Sequence, residues 1–242
     1  MKIVVLTTLY NAKDYVEMTL ASIMGQKYKN FVCYITDDLS SDGSAELVEE
    51  CIKHDSRFKL IRNTNKMYQG GNYDQIIRNN PDVDDEDICI EVDGDDLLSD
   101  NKVFERVVNH YNSGDIWIAN GTFRYSDGGD GFARPVANFD SLRQDTFTAS
   151  HLRTWKAFLW RQIKQEDLLD PKTNNYWNTA GDLSFMYPML EMAGEEHYLF
   201  MPEINYIYNE QNPINDHKVN MPEVVRICQE IRLMPRYKRL VK

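Results

Sequence analysis

Asp93, Asp95 and Asp96, three carboxylates in the run Asp93-Gly94-Asp95-Asp96, are the plainest chemical signal in the sequence. They follow Ile88 to Val92 (ICIEV), a run that is apolar apart from Glu91 and reads as a buried strand. Like charges this close destabilise one another unless a cation or protons compensate them. An oxygen-only ligand set suits Mg2+ or Mn2+, ions usually held by one or two carboxylates together with substrate phosphates. The competing reading is a solvated acidic turn, with Asp96 or Ser99 capping the helix that carries Val103, Val107 and Val108. What else stands at the same edge of the fold decides between them.

The elements that must position this turn can be read from periodicity. Lys2 to Leu6 (KIVVL), Phe31 to Thr36 (FVCYIT) and Phe58 to Ile61 read as three further strands. Between them, Val16, Leu20, Ile23 and Met24 mark one helix, ended by Gly25, and Val48, Cys51 and Ile52 mark another. Strands alternating with helices imply parallel pairing through right-handed crossovers, hence an α/β, Rossmann-like sheet covered on both faces. In such sheets ligands bind beyond the carboxyl ends of the strands. Those ends carry Thr8-Leu9-Tyr10-Asn11, Asp37-Asp38 and the Asp93 cluster, so three polar groups converge on one edge. The Asp38 carboxylate suits the ring N–H of a pyrimidine, with Tyr10 stacking on the base. Its structural alternative is to cap a turn with Asp37 and Asp42, and Asp42 itself reads as a helix cap.

Charge and composition narrow the partners. The chain has 242 residues and a net charge of -11, which argues against nucleic acid, whose binding rests on basic contacts to phosphate. A polyphosphate ligand would be repelled unless a cation intervened. The four cysteines are far apart and read as buried thiols in a reducing compartment. No apolar run approaches the roughly 20 residues of a membrane-spanning helix. The first residues lack the basic start and long apolar stretch of a signal peptide, so a cytoplasmic location is expected. The end departs from the acidic balance: Arg232, Arg236, Lys238, Arg239 and Lys242 alternate with Leu233, Met234, Tyr237, Leu240 and Val241. That tail suits either a solvated extension or peripheral contact with an anionic membrane.

The segment LTTLYNAKDYVEMTLASIMGQKYKNFVCYITDDLSSDGS, the Asn-containing loop from Asn63 to Asn72, and EVDGDDLLSD resemble, in order and spacing, the N-terminal half of family 2 glycosyltransferases. The resemblance covers about the first 120 residues and implies the GT-A fold. It further implies an inverting transferase that uses a nucleotide-diphosphate sugar, most often a UDP-sugar, with Mn2+ or Mg2+. By position it assigns the donor site to Thr8, Leu9, Tyr10, Asp38, Asn72, Asp93, Gly94 and Asp95, with Asp95 and Asp93 on the metal. Two positions depart from the family: Thr8 stands for a common proline, and Leu39 for the usual glycine after the paired aspartates.

An inverting transferase needs a base for the acceptor hydroxyl. The family places it before a helix of the second half, where Ala180-Gly181-Asp182-Leu183-Ser184-Phe185 matches, which makes Asp182 the candidate and a helix N-cap its alternative role. His217 is a late histidine of the kind some GT-A enzymes bring to the metal, although a loop histidine in solvent is the commoner outcome. Trp177, among Asn174, Asn175 and Asn178, is the candidate face for an acceptor sugar, whereas Trp155 falls on the helical stripe Leu152, Trp155, Leu159, Ile163. Thr122 to Ala149 reads as loops, and helices are expected from Leu183 to Ala193 and from Pro222 to before Pro235. A single unit is expected: residues 1–120 for the donor, 121–221 for a glycan or lipid-linked acceptor, and 222–242 as a helix and basic tail. A nucleotidyltransferase would carry a glycine-rich basic loop after the first strand, which TTLYNAKDY is not. A non-catalytic nucleotide- or glycan-binding module is the other alternative, and the intact aspartates count against it.

Overall fold

The structure, a computed structural model, describes residues 1–241 apart from the side chains of Asp216 and His217. Its first half alternates as the periodicity predicts: β1 (Ile3–Leu9), α1 (Val16–Met24), β2 (Phe31–Asp37), α2 (Ser44–Ile52) and β3 (Phe58–Arg62). β1 pairs in parallel with β2, and β2 with β3. β1 continues past Leu6 because Thr7, Thr8 and Leu9 pair with Ile35, Thr36 and Asp37, which carries both strand ends to one level. Gly25 ends α1 with an ordinary right-handed φ of -68°, so its freedom at positive φ is not used.

α3 (Tyr68–Asn79) begins inside the span that reads as a loop. Gly70 and Gly71 conceal it, because glycine is a poor helix former. Packing requires the second of them: a Cβ on Gly71 would lie 2.5 Å from the Tyr176 ring. β4 (Ile88–Glu91) then pairs with β1 in parallel, so its end adjoins that of β1. β5 (Leu97–Leu98) and α4 (Val103–Asn112) complete this half.

The second half contributes β6 (Ile118–Tyr125), β7 (Arg153–Lys156) and α5 (Ala157–Arg161), then the small hairpin β8 (Leu169–Asp170) and β9 (Asn175–Tyr176). α6 (Asp182–Ala193), β10 (Tyr198–Tyr208), α7 (Asp216–Val219) and α8 (Met221–Leu233) follow. The stripe Leu152, Trp155, Leu159, Ile163 is not one helix. Trp155 lies in β7, in register with Cys89 of β4 and Ile118 of β6, and filling that gap in the sheet overrides the helical spacing.

The eight-stranded sheet runs β3-β2-β1-β4-β7-β6-β10-β5. β7 is antiparallel to both neighbours, and β6 pairs in parallel with β10. One core, with Val16, Leu20, Val48 and Val107, lies under α1, α2 and α4; the other, with Tyr73, Trp160, Phe185 and Ile227, lies under α3, α5, α6 and α8. Each buried side chain of leucine or phenylalanine size contributes about 1.5–3 kcal/mol. The strand ends are therefore held from both faces.

The basic tail folds back onto the protein instead of projecting from it. Arg232 donates to the carbonyls of Arg143 and Asp145, Arg236 to those of Phe139 and Asp140, and Arg239 pairs with Glu196 at 3.0 Å. The Leu240 amide reaches the Met192 carbonyl. Three of the cations that suggested a membrane contact are thus engaged internally, and no helix among the described residues is long and apolar enough to cross a membrane.

Candidate active site

The turn after β4 is drawn tightly against β1. The Gly94 amide donates to the Thr8 carbonyl at 3.1 Å, and a Cβ on Gly94 would sit 2.7 Å from that of Leu9, so only glycine fits unstrained. The three aspartates then diverge. Asp93 is partly exposed, accepts a long hydrogen bond from the Gln69 amide at 3.4 Å and lies 3.9 Å from His151 Nε2. Asp95 accepts from Asn212 at 2.7 Å. Asp96 is buried, with one oxygen on the Asn209 amide at 2.6 Å. Neither Asp96 nor Ser99 caps α4: Asp96 binds the β10 end, and the Ser99 hydroxyl donates to the Ile204 carbonyl. Burial, then the neighbouring carboxylates Glu91, Asp96 and Asp95, push the Asp93 carboxyl well above its usual range; burial and Asp95 do the same to Asp96.

Behind Asp93 lies a fully buried Glu91, and beside it His151, 5 % exposed. One ligand atom from each of Glu91, Asp93 and His151 lies within 4.8 Å of the other two. The imidazole is stacked on Tyr206 at 4.4 Å and 5°, which fixes its plane. Burial and the Arg153 charge lower its pKa well below the usual value, so it is neutral and able to ligate. Among the described residues, Glu91 Oε2 and His151 Nδ1 are buried without hydrogen-bond partners. Orphaned polar atoms of this kind are rare in folded proteins, and the three side chains, with His151 Nε2 3.9 Å from Asp93 Oδ2, make a nitrogen and oxygen set that fits a divalent cation.

Arg153 of β7 links this cluster to α6. Its guanidinium donates to Glu91 Oε1 at 2.6 Å and to Asp182 Oδ2 at 2.5 Å. Asp182 opens α6 and is 23 % exposed at the side chain. Its Oδ1 is therefore the oxygen left for another partner.

The end of β2 differs from the reading of Asp38 as a base ligand. Asp38 is 1 % exposed, and its carboxylate already accepts the Asn63 side-chain amide at 2.8 Å and the backbone amides of Met67 and Tyr68 at 2.8 and 2.9 Å. It ties down the start of α3 and offers no open face to a base. Asn72 is also fully buried, accepting from Asn63 and Gln75 in the same network. Leu9 is a core residue at 1 % exposure, taking part only through its carbonyl, which accepts the Asp38 amide. Thr8 is half-buried, its hydroxyl 3.2 Å from that of Thr36. Tyr10 does stand at the open edge, 46 % exposed, with the Lys66 ammonium 3.2 Å above its ring.

Trp177 cannot receive a sugar in this arrangement: it is 3 % exposed, part of the core, with its ring N–H on the Asp167 carbonyl. The side chain of His217 lies outside the described residues. Glu91, His151 and Arg153 are the residues that sequence reasoning missed. Their signal was a lone charge inside ICIEV and a His-x-Arg placed just before an apolar run. Backbone strain outlines the same region, for the non-glycine residues Asn11, Leu39, Tyr68 and Ala180, at φ of 49°, 68°, 53° and 46°, follow β1 and β2 or introduce α3 and α6.

Strand ends thus gather carboxylates, a neutral histidine and an arginine-held acid on one edge of an α/β sheet. A model of the family "Glycosyl transferase family 2" matches residues 4–175. The chain belongs to that family and has the GT-A fold. The glycosyltransferase GlyA of Streptococcus pneumoniae is 27% identical over 191 residues, a match covering 67% of this chain and 25% of that protein. The chain spans about a quarter of the length of the curated relatives it matches. Among solved structures, S. aureus TarS 1-349 in complex with UDP is similar with a TM-score of 0.66 at 17% identity, over 96% of this chain and 65% of that one. The mannosyltransferase PcManGT from Pyrobaculum calidifontis, in complex with GDP-Man and Mn2+, gives 0.60 at 15% identity, over 86% and 56%.

Proposed function

We propose that the chain transfers a sugar, with inversion, from a nucleotide-diphosphate sugar to a hydroxyl of a glycan or lipid-linked acceptor, in a reaction that depends on Mn2+ or Mg2+. The observation that carries this reading is the juxtaposition, across one guanidinium, of the Glu91–Asp93–His151 cluster and the partly exposed Asp182. A UDP-sugar is the favoured donor, since the TarS neighbour is a UDP complex; the GDP-Man complex of PcManGT keeps a purine donor as the outcome to test against.

Asp93 is the central ligand, with Glu91 and His151 as the nearest partners and Asp95 completing the site if it exchanges Asn212 for the cation. When bound there, the cation would neutralise charge on the diphosphate. The protein's own groups do the rest. Tyr10 offers its face to the base once Lys66 moves off it. Asp182 takes the proton of the acceptor hydroxyl as that oxygen attacks the anomeric carbon, and the bond from that carbon to the phosphate oxygen breaks on the opposite side. Asp38 and Asn72 act indirectly, by holding the start of α3 beneath the site. Residues 1–120, joined by His151, serve the donor and the other later ones the acceptor, as one unit sharing the sheet.

The test is a screen of UDP- and GDP-sugars for Mn2+-dependent thermal stabilisation and hydrolysis, with EDTA as the control. Stabilisation and hydrolysis by one donor class, abolished by EDTA and by Asp182→Asn for turnover only, is the expected result. Absence of any nucleotide effect, or turnover that survives EDTA, would overturn the reading.

A further inference from the structure

We propose that Arg153 is a positioning residue for transfer, which fixes the direction of the Asp182 carboxylate relative to the β4 acids; this rests on the reading of Asp182 as the base. Arg153 is 5 % exposed and stands on β7, the strand between β4 and β6. Its two terminal nitrogens divide between elements, one on Glu91 at the last position of β4 and the other on Asp182 at the first position of α6, while Nε reaches the Ala149 carbonyl at 3.4 Å. A planar guanidinium with fixed N–H directions holds two carboxylates at a set angle, which a lysine ammonium does not.

This assignment accounts for two features that the rest of the site leaves unexplained. Glu91 is a charge in an otherwise apolar strand, fully buried, and its Oε1 bonds Arg153. It is the counter-charge that lets an arginine be buried at this point. Asp182, in turn, stands at the start of α6 after Ala180 at φ 46°, and the side-chain bond to its carboxylate comes from Arg153, not from its own helix. With Oδ2 taken, the acceptor hydroxyl meets Oδ1 in one orientation. Because β7 is hydrogen-bonded to β4, a single side chain spans the donor edge and the acceptor side.

Two variants of the full chain test this: Arg153→Ala, and Arg153→Lys, which keeps a cation beside the buried Glu91 and guards against misfolding. UDP binding with Mn2+, measured by calorimetry, should stay within about threefold of the parent. Turnover of the nucleotide-sugar that the parent hydrolyses best should fall on the order of 100-fold, the cost of a misplaced catalytic group. Millimolar guanidinium should restore at least about tenfold of it in Arg153→Ala, an effect that loss of a merely structural contact would not show. Independently of turnover, carbodiimide labelling of Asp182, read by mass spectrometry, should rise at least about threefold in Arg153→Ala. Unchanged turnover in folded Arg153→Lys or Arg153→Ala, or unchanged labelling in folded Arg153→Ala, would overturn the proposal, as would UDP affinity falling in step with turnover, which would make Arg153 a donor ligand. Near-normal turnover in Asp182→Asn would instead overturn the base reading on which it rests.

Discussion

The ends of β2 and β4 carry acidic residues at equivalent places on one sheet edge, yet they have opposite environments. At the end of β2, Asp38 meets three N–H groups at 2.8–2.9 Å and is sealed from solvent. At the end of β4, Asp93 has one weak amide contact and is surrounded by Glu91, Asp95 and Asp96. Position beyond a strand end is thus no guarantee of a role in ligand binding. The supply of N–H donors separates a carboxylate that builds the fold from one left open to a ligand.

The contrast is broken most directly by removing each acid in turn. Asp93→Ala should lower turnover by about a thousandfold, as expected when a cation worth several kcal/mol of charge stabilisation is lost. Its melting temperature should not fall. Steady-state kinetics and calorimetric melting read the two effects separately, and a destabilised but active variant would reverse the assignment.

Asp38→Ala should behave the other way. Three N–H groups would lose their acceptor, and each unsatisfied buried donor costs about 1–3 kcal/mol. With partial rescue by water, a loss of about 2–4 kcal/mol of stability in urea titration is expected, with UDP affinity reduced only as far as the start of α3 loosens. If Asp38→Ala keeps its stability and loses UDP binding, Asp38 is a base ligand after all.

A pH series sharpens the same point. Asp93 is raised above its ordinary value of 3.8, first by burial and then by Glu91, Asp96 and Asp95. An acid raised in the folded state contributes stability that is complete below pH 3.8 and is lost as pH rises through the raised value. Asp93→Asn cannot ionise at this position, so at about pH 8 it should be more stable than the parent, by on the order of 1 kcal/mol for every tenfold weakening of the acid. The difference should vanish near about pH 3, where both forms are neutral. Saturating Mn2+ at about pH 8 should stabilise the parent by about 2.7 kcal/mol at roughly a hundred times its dissociation constant and leave the variant unmoved.

How much of this was legible in the sequence follows the same division. The first-half strands and helices were readable because their apolar periods are clean, and so was the edge on which Tyr10, Asp38 and Asp93 gather. The state of each acid was not, because the donors that saturate Asp38 come from Asn63, Met67 and Tyr68, about 30 residues away at the start of a helix hidden by two glycines. His151 and Arg153 were invisible for a related reason. They precede or occupy a short strand whose identity depends on filling the gap between β4 and β6, and its local spacing resembled a helix. Trp177 was misjudged from its polar neighbours, since Asn174 and Asn178 are exposed on the chain around a ring that points into the core.

The smallest expected effect concerns Leu39, directly after Asp38. Leu39 sits at φ 68° with 42 % of its surface exposed, in the place where the family commonly has glycine. The left-handed conformation costs a residue with a Cβ roughly 1–2 kcal/mol, and glycine avoids it. Against this, glycine gives the unfolded chain more freedom, which costs about 0.5–1 kcal/mol. Leu39→Gly should therefore stabilise the protein by about 0.5 kcal/mol, a rise of a degree or two in the melting temperature. Turnover and UDP affinity should not change, because the turn after β2 acts through the bonds of Asp38 and not through its own flexibility. A change in turnover without a change in stability would mean that the strained turn itself tunes the donor edge, and the division between a structural β2 end and a ligand-binding β4 end would have to be redrawn.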